Sequence, residues 1–282
     1  MAKNVERAVD PLQELTYTGQ SVELLQALHI LTRDGRLNQD SRRKLKQVMH
    51  LAQFIRPLID EVLETGETLT LADHGAGKSY LGFILYDLYL RERPGATLYG
   101  IEARAELVDR SRELAAKLGF ERMRFLATTV AETIASDALP ERIDIVTALH
   151  ACDTATDDAI RFALEKRARH VVLAPCCQAE VAAALRQRKG EMLGRTPLAE
   201  LWRHPLHTRE FGSQLTNVLR CLLLESHGYS VTVTELVGWE HSLKNELIIA
   251  TRQHAPRGNA RARLEAILGE FGLGELRGRF AY

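Results

Sequence analysis

A doubly wound α/β sheet is the fold class this sequence predicts, on three observations. A short alternating stretch, Leu69-Thr70-Leu71-Ala72, runs into the loop Asp73-His74-Gly75-Ala76-Gly77-Lys78-Ser79. Apolar residues at helical spacing follow it (Leu81, Phe83, Ile84, Leu85, Leu88). Further apolar runs of strand length recur downstream with helical stretches between them, as strands buried on both faces require. Late in the chain two strand-like runs are joined too closely to be parallel. The expectation is a mostly parallel, seven-stranded sheet finished by an antiparallel hairpin, behind an N-terminal helical extension.

Residues 1–66 read as that extension. In Ser21 to Leu31 the leucine spacing marks an amphipathic helix ended by Asp34-Gly35. A longer helix is expected after Asp40-Ser41, either of which can cap it, with Leu45, Val48, Met49, Ala52 and Ile55 on one side. Pro57 should kink or restart it, because proline removes a backbone donor. Residues 67–254 form the sheet-bearing domain. Its strands are expected around Leu69–Ala72, Thr97–Glu102, Met123–Ala127, Ile143–Leu149, His170–Ala174, Gly228–Val237 and Asn245–Thr251, with an apolar helix over Ser213–Ser226. Residues 255–282 make a helical tail, and residues 182–210 read as a basic insertion placed where a substrate lid would belong.

The 282 residues suffice for one α/β domain with a modest extension. The 37 basic and 37 acidic side chains cancel, which excludes a blanket polyanion-binding surface and leaves only local patches for nucleic acid. Cys152, Cys176, Cys177 and Cys221 show no disulfide spacing. With no signal-peptide pattern and no apolar run of spanning length, a cytoplasmic protein without membrane contact is expected.

Two readings compete for the glycine loop. Ala72 to Ser79 satisfies a loose phosphate-loop pattern, which would make the chain a nucleotide hydrolase or kinase. Such a protein needs a magnesium-holding aspartate at the end of a later strand, and those runs end in His150 and Pro175 instead. Asp73-x-Gly75-x-Gly77 is also the loop of an adenosine-containing cofactor, which calls for a ribose-binding carboxylate at the end of the second strand. Glu102 supplies it. A cofactor-binding protein without catalysis is the third option.

Two further blocks fall at carboxyl ends of expected strands: His150-Ala151-Cys152-Asp153-Thr154-Ala155-Thr156-Asp157 and Pro175-Cys176-Cys177-Gln178. With the glycine loop and His241-Ser242-Leu243-Lys244-Asn245, they resemble a family of class I, Rossmann-like S-adenosylmethionine methyltransferases. That family is marked by a His-x-Cys-x-x-Ala-Thr-Asp block and a Cys-Cys block, and its eukaryotic relatives include the tRNA acceptor-stem 2′-O-methyltransferase. The likeness spans roughly residues 40 to 252. Asp153 stands where relatives usually have glycine, and Gln178 where the tRNA enzyme has histidine.

The resemblance implies S-adenosylmethionine as cofactor, with Asp73, Gly75 and Gly77 at its methionine end, Glu102 on the ribose, and Thr128 and His150 beside it. His150 can act as a general base, since its ordinary pKa lies near neutral; a structural histidine fits the position equally. Cys152, Asp157 and Lys244 complete the candidate catalytic set. Asp157 also suits a capping arrangement with Thr154 or Thr156, and Lys244 suits either an anionic substrate or an ordinary turn. Adjacent cysteines suit one metal poorly, so no metal is expected. RNA is the expected acceptor, through Arg42-Arg43-Lys44-x-Lys46 and the basic residues between Arg186 and Arg209, where Trp202, His204 and His207 interleave. A protein or small-molecule acceptor is the near alternative, and no obligate protein partner is inferred.

Overall fold

Runs of Leu, Val and Ile with small residues form the central strands, which bury both faces, and the described residues build a sheet of seven strands whose edges β3 and β6 are partly exposed. The structure, a computed structural model, describes residues 20–36, 39–66, 68–149, 151, 153–175, 178–187, 197–236, 246–253 and 258–282. In chain order the elements are α1 (Val22–Ala27), α2 (Gln39–Thr65), β1 (Leu69–His74) and α3 (Tyr80–Leu85), which runs into a π-helical turn at Tyr86–Leu90. Next come β2 (Ala96–Glu102), α4 (Ala105–Lys117), β3 (Met123–Ala127), α5 (Val130–Ala135), β4 (Ile145–Leu149), α6 (Thr154–Glu165), β5 (His170–Ala174) and α7 (Glu180–Gln187). After a 3-10 turn at Pro197–Trp202, α8 (Pro205–Ser226), β6 (Tyr229–Glu235), β7 (Glu246–Arg252), α9 (Ala260–Glu270) and α10 (Arg277–Phe280) complete the chain.

The strand order is β3-β2-β1-β4-β5-β7-β6, with β3 through β5 parallel and β7 antiparallel to both its neighbours. The expected doubly wound sheet and closing hairpin are both present. Successive residues of a strand serve opposite layers. Leu71, Ile145 and Val172 join the core that packs α1 to α4, whereas Ala72, Val146 and Val171 join the core that packs α6 to α9. Leu45, Val48, Met49, Ala52 and Ile55 are buried in the first of these, so the N-terminal helix α2 shares a core with the sheet.

Several boundaries differ from the sequence expectation. The first helix ends at Ala27, well before Asp34-Gly35, because His29 turns left-handed at φ 55°. Its start is as expected: the Ser21 hydroxyl accepts from the Leu24 N–H at 3.1 Å. Asp40 and Ser41 lie inside α2 instead of capping it, and Pro57 sits within one uninterrupted helix of 27 residues. Proline removes one donor there, but Ile55, Ile59 and Val62 remain buried on either side of it, and that packing outweighs the loss. Residues 182–187 and 205–210 belong to α7 and α8, not to an insertion. Val181, Ala182, Ala184 and Leu185 are buried, and Gly212 of α8 lies so close to α7 that a Cβ there would come within 2.6 Å of the Ala182 Cβ.

Ile55 is fully buried, so Ile55→Ala should destabilise the whole fold by about 2–5 kcal/mol. Denaturant unfolding followed by circular dichroism checks this. A loss below about 1 kcal/mol would show that α2 is not part of the core.

Candidate functional site

In open α/β sheets ligands bind outside the carboxyl ends of the strands, at the point where the chain order reverses. Here that point is β1, flanked by β2 on one side and β4 on the other. Gly75 and Gly77 adopt φ 66° and 57°, left-handed values that glycine reaches without a Cβ clash. A Cβ at Gly75 would touch that of Ala151 at 3.4 Å, so the loop lies directly against the segment after β4. The Ala76 N–H donates to the Ile101 carbonyl at 3.0 Å, and the Gly77 N–H donates to Glu102 Oε2 at 2.9 Å. The glycine turn is thereby fastened to the end of β2.

Glu102 Oε1 also accepts from the Arg104 backbone N–H at 3.1 Å and from its Nε at 2.8 Å. Burial pushes the carboxyl up, but the hydrogen bonds from Arg104 and Gly77 outweigh it and hold the group below the usual carboxylate range. Glu102 is therefore anionic and aimed at the loop. The Arg104 side chain is 62% exposed, so the ion pair is weak and readily displaced.

Asp73 does a different job. It is buried, its Oδ1 accepts from Thr147 Oγ1 of β4 at 2.8 Å, and it takes the Gly82 N–H of α3. Burial raises its carboxyl from 3.8 to about 7, against the lowering effect of those two bonds. It braces β1, β4 and α3 beneath the glycine turn. His74 is buried with neither ring nitrogen hydrogen-bonded, and burial pushes it down to about 4, partly offset by Glu102. It packs as a neutral ring 5.7 Å from Phe162. Thr128 stands beside Glu102, its N–H donating to the Glu102 carbonyl at 3.2 Å, while its hydroxyl donates to Glu132 at 3.0 Å in the cap of α5.

The phosphate-loop reading loses its chemistry here. Lys78 is exposed and lines a separate cavity of about 340 Å³ among α1, α3 and α4, and the Ser79 hydroxyl is buried where it could not hold magnesium.

A buried polar network lies on the far side of the crevice. Both oxygens of Asp157 are held by Arg220, at 2.7 Å from Nε and 2.9 Å from Nη2, and the Arg220 side chain is fully buried. Asp157 therefore departs from both expectations: it neither caps α6 nor presents a carboxylate for proton transfer. Arg220 also donates to the Asp153 carbonyl and to Asn217 Oδ1, which in turn accepts from Gln178. Gln178 accepts from the Ser213 hydroxyl, and Asn217 donates to Glu246 at the start of β7. Asp153 itself sits at φ 50°, the conformation glycine would favour, and its carboxylate accepts from the Ala179 and Glu180 N–H groups at the start of α7.

This network ties together the loop after β4, the loop after β5 and the entry to β7. Those segments lead into the candidate residues His150, Cys152, Cys176, Cys177 and Lys244, which themselves lie outside the described residues. Sequence reasoning missed Thr147, Arg104, Asn217 and Arg220. Only Arg220 carried a signal, as a lone cation in the apolar run from Val218 to Leu224.

Of the basic residues expected to meet RNA, Arg42, Lys46, Arg186, Arg203 and Arg209 are exposed. Arg203 pairs with Glu200 at 3.2 Å and Arg209 with Glu210 at 2.9 Å. Among the described residues no helix is long and apolar enough to cross a membrane, and no group of three His, Cys, Asp or Glu is placed to hold a metal ion.

The profile of a protein family described as a methyltransferase domain matches residues 43–184, just over half of the chain. No curated protein matches. Among solved structures, an SAH-bound methyltransferase of Podospora anserina is 12% identical at TM-score 0.49, covering 86% of this chain and 92% of that one. Magnesium protoporphyrin IX methyltransferase of Synechocystis, with bound SAH, is 16% identical at 0.46, covering 86% and 100%. Precorrin-6y C5,15-methyltransferase of Geobacter metallireducens is 17% identical at 0.41, covering 71% and 88%. At these scores the three say nothing of the acceptor.

Replacing Arg220 by Met should destabilise the protein by about 3–5 kcal/mol, because it leaves Asp157 buried and unpaired, and adding Asp157→Leu should restore most of the loss. Equal instability of the single and double variants would contradict the ion-pair account. Asp73 binds its proton more tightly folded than unfolded, so its contribution is complete below about 3.8 and is lost as pH rises through about 7. Unfolding curves for Asp73→Asn should lack that part of the fall between these values; parallel wild-type and variant profiles would refute the burial of an ionisable carboxyl there.

Proposed function

This chain belongs to the methyltransferase-domain family and is an S-adenosylmethionine-dependent methyltransferase; we propose that its acceptor is RNA, at a ribose hydroxyl or a base nitrogen. The observation that carries the RNA reading is the basic stretch Arg186, Arg188, Lys189, Arg195, Arg203 and Arg209, interleaved in sequence with Trp202, His204 and His207, which follows β5 along the chain. The exposed pairs of Arg203 and Arg209 are weak enough to exchange their carboxylates for phosphates.

The crevice fits the donor. The left-handed turn at Gly75 and Gly77 carries no side chain to block the methionine end, and Glu102 offers an anionic acceptor pair for the ribose hydroxyls once Arg104 yields. Asp73 keeps the turn in place from below, and Thr128 flanks the adenosyl side. When bound, S-adenosylmethionine supplies an electrophilic methyl group on a sulfonium, and the protein's task is to hold the nucleophile in line and exclude water. His150 would serve as the general base that accepts the proton the acceptor hydroxyl gives up on methylation. Lys244 is assigned to orienting an acceptor phosphate, and Cys152 completes the set.

Titration calorimetry with S-adenosylhomocysteine tests the donor assignment. Glu102→Ala removes two charge-assisted hydrogen bonds and should weaken binding at least about tenfold. Binding of Mg-ATP that disappears in Lys78→Ala would reverse the assignment. With tritiated donor and fractionated cell extract, label should enter RNA; label in protein or metabolites alone would refute the acceptor. His150→Ala should slow the transfer by roughly 100-fold or more with donor affinity unchanged, and an equal rate would remove His150 from catalysis.

A further inference from the structure

We propose a second ligand site, for a phosphorylated anion, at the end of the sheet opposite the glycine turn. A cavity of about 590 Å³ opens there, lined by Arg142, Arg167, Arg169 and Arg252 together with Glu61 and Thr251. The four arginines come from three segments: Arg142 from the approach to β4, Arg167 and Arg169 from the turn between α6 and β5, and Arg252 from the end of β7. In a chain whose 37 basic and 37 acidic residues cancel, four guanidiniums against one carboxylate is a local imbalance.

That carboxylate is already committed. Glu61 Oε1 accepts from Arg169 Nη2 at 2.7 Å, and its Oε2 lies 3.7 Å from Nε2 of the buried His170. Arg169 is fixed from the other side by donating to Thr65 Oγ1 at 2.7 Å. Asp144, just before β4, accepts from the Thr70 N–H at 2.8 Å. Arg142, Arg167 and Arg252 therefore face the cavity with no carboxylate partner among the described residues.

The turn that carries Arg167 holds φ 51°, and the Arg252 N–H donates to the Arg169 carbonyl at 2.8 Å, so the cationic walls are anchored by backbone. Guanidinium forks match phosphate oxygens two at a time, and the cavity has the size of a nucleotide site. A ligand bearing two or more adjacent phosphates neutralises three guanidiniums that have no carboxylate partner, which a single carboxylate could not; of these, Arg252 donates through Nη1 to the Arg167 carbonyl at 3.4 Å. The phosphates can belong to a free nucleotide or to the 5′ end of an RNA chain. The site stands whatever the methyl acceptor is.

The test is titration of the full-length protein with pyrophosphate, with metal-free ATP, and with a short RNA bearing either a 5′-triphosphate or a 5′-hydroxyl. Pyrophosphate should bind, should weaken as salt rises from about 50 to about 200 mM, and should lose at least about tenfold in affinity in the Arg142→Gln, Arg252→Gln double variant. S-adenosylhomocysteine binding, which these residues do not touch, should stay unchanged and shows that the variant is folded. Preference for the 5′-triphosphorylated RNA over the 5′-hydroxyl form assigns the phosphates to an RNA end, and equal RNA binding with tight ATP binding assigns them to a nucleotide. No pyrophosphate binding by the wild type, or binding undiminished in the double variant, would overturn the proposal.

Discussion

The hydrogen bond from the Gly77 N–H to Glu102 is the contact on which the cofactor half is organised. It closes the left-handed turn after β1 onto the end of the neighbouring parallel strand, and it does so with an anion. One bond thus fixes the path of the loop and keeps a charged acceptor at the floor of the crevice. The same carboxylate would be lost to bulk water if the turn opened. The exposed Arg104 guanidinium covers Glu102 without locking it, so the group is both paired and available.

Across the crevice the constraint is buried charge. An arginine with no exposure, bound to an equally buried aspartate, tolerates almost no displacement of either partner, since each moved atom leaves an unsatisfied charge behind. Arg220 and Asn217 therefore hold the loop after β4, the loop after β5 and the start of β7 in one register. Asp153 adds a second tie between the first two loops through the amides of α7. Its positive φ is a conformation that glycine adopts without strain, and the bonds its side chain makes to those amides offset the cost for aspartate.

The strands were legible as short apolar runs: β3 and β5 match the expected residues end to end and β2 ends at Glu102 as expected, whereas β1 runs two residues beyond the expected Ala72 and takes in Asp73 and His74. The glycine turn was legible because its partners are local or lie at a fixed distance along a βαβ unit. Pro57 misled because tertiary packing around α2 overrides a missing donor, and no local signal reports that packing. Asp157 misled for a related reason. Its partner lies 63 residues away, and the Thr147–Asp73 bond spans 74 residues, so both pairs exist only once the sheet order is known. Expected catalytic and structural carboxylates look alike until their partners are in view.

The chemistry follows from this division of labour. One side of the crevice presents a glycine turn fastened to a single anion, and the other side holds the loops after β4 and β5 by a buried network. The measurement that tests this most directly is a crystal structure of the protein with S-adenosylhomocysteine. Glu102 should lie within hydrogen-bonding distance of the ribose hydroxyls, with Arg104 displaced and the Gly75–Gly77 turn against the homocysteine end. A ligand bound elsewhere, or Glu102 still closed onto Arg104 and remote from the sugar, would contradict the account.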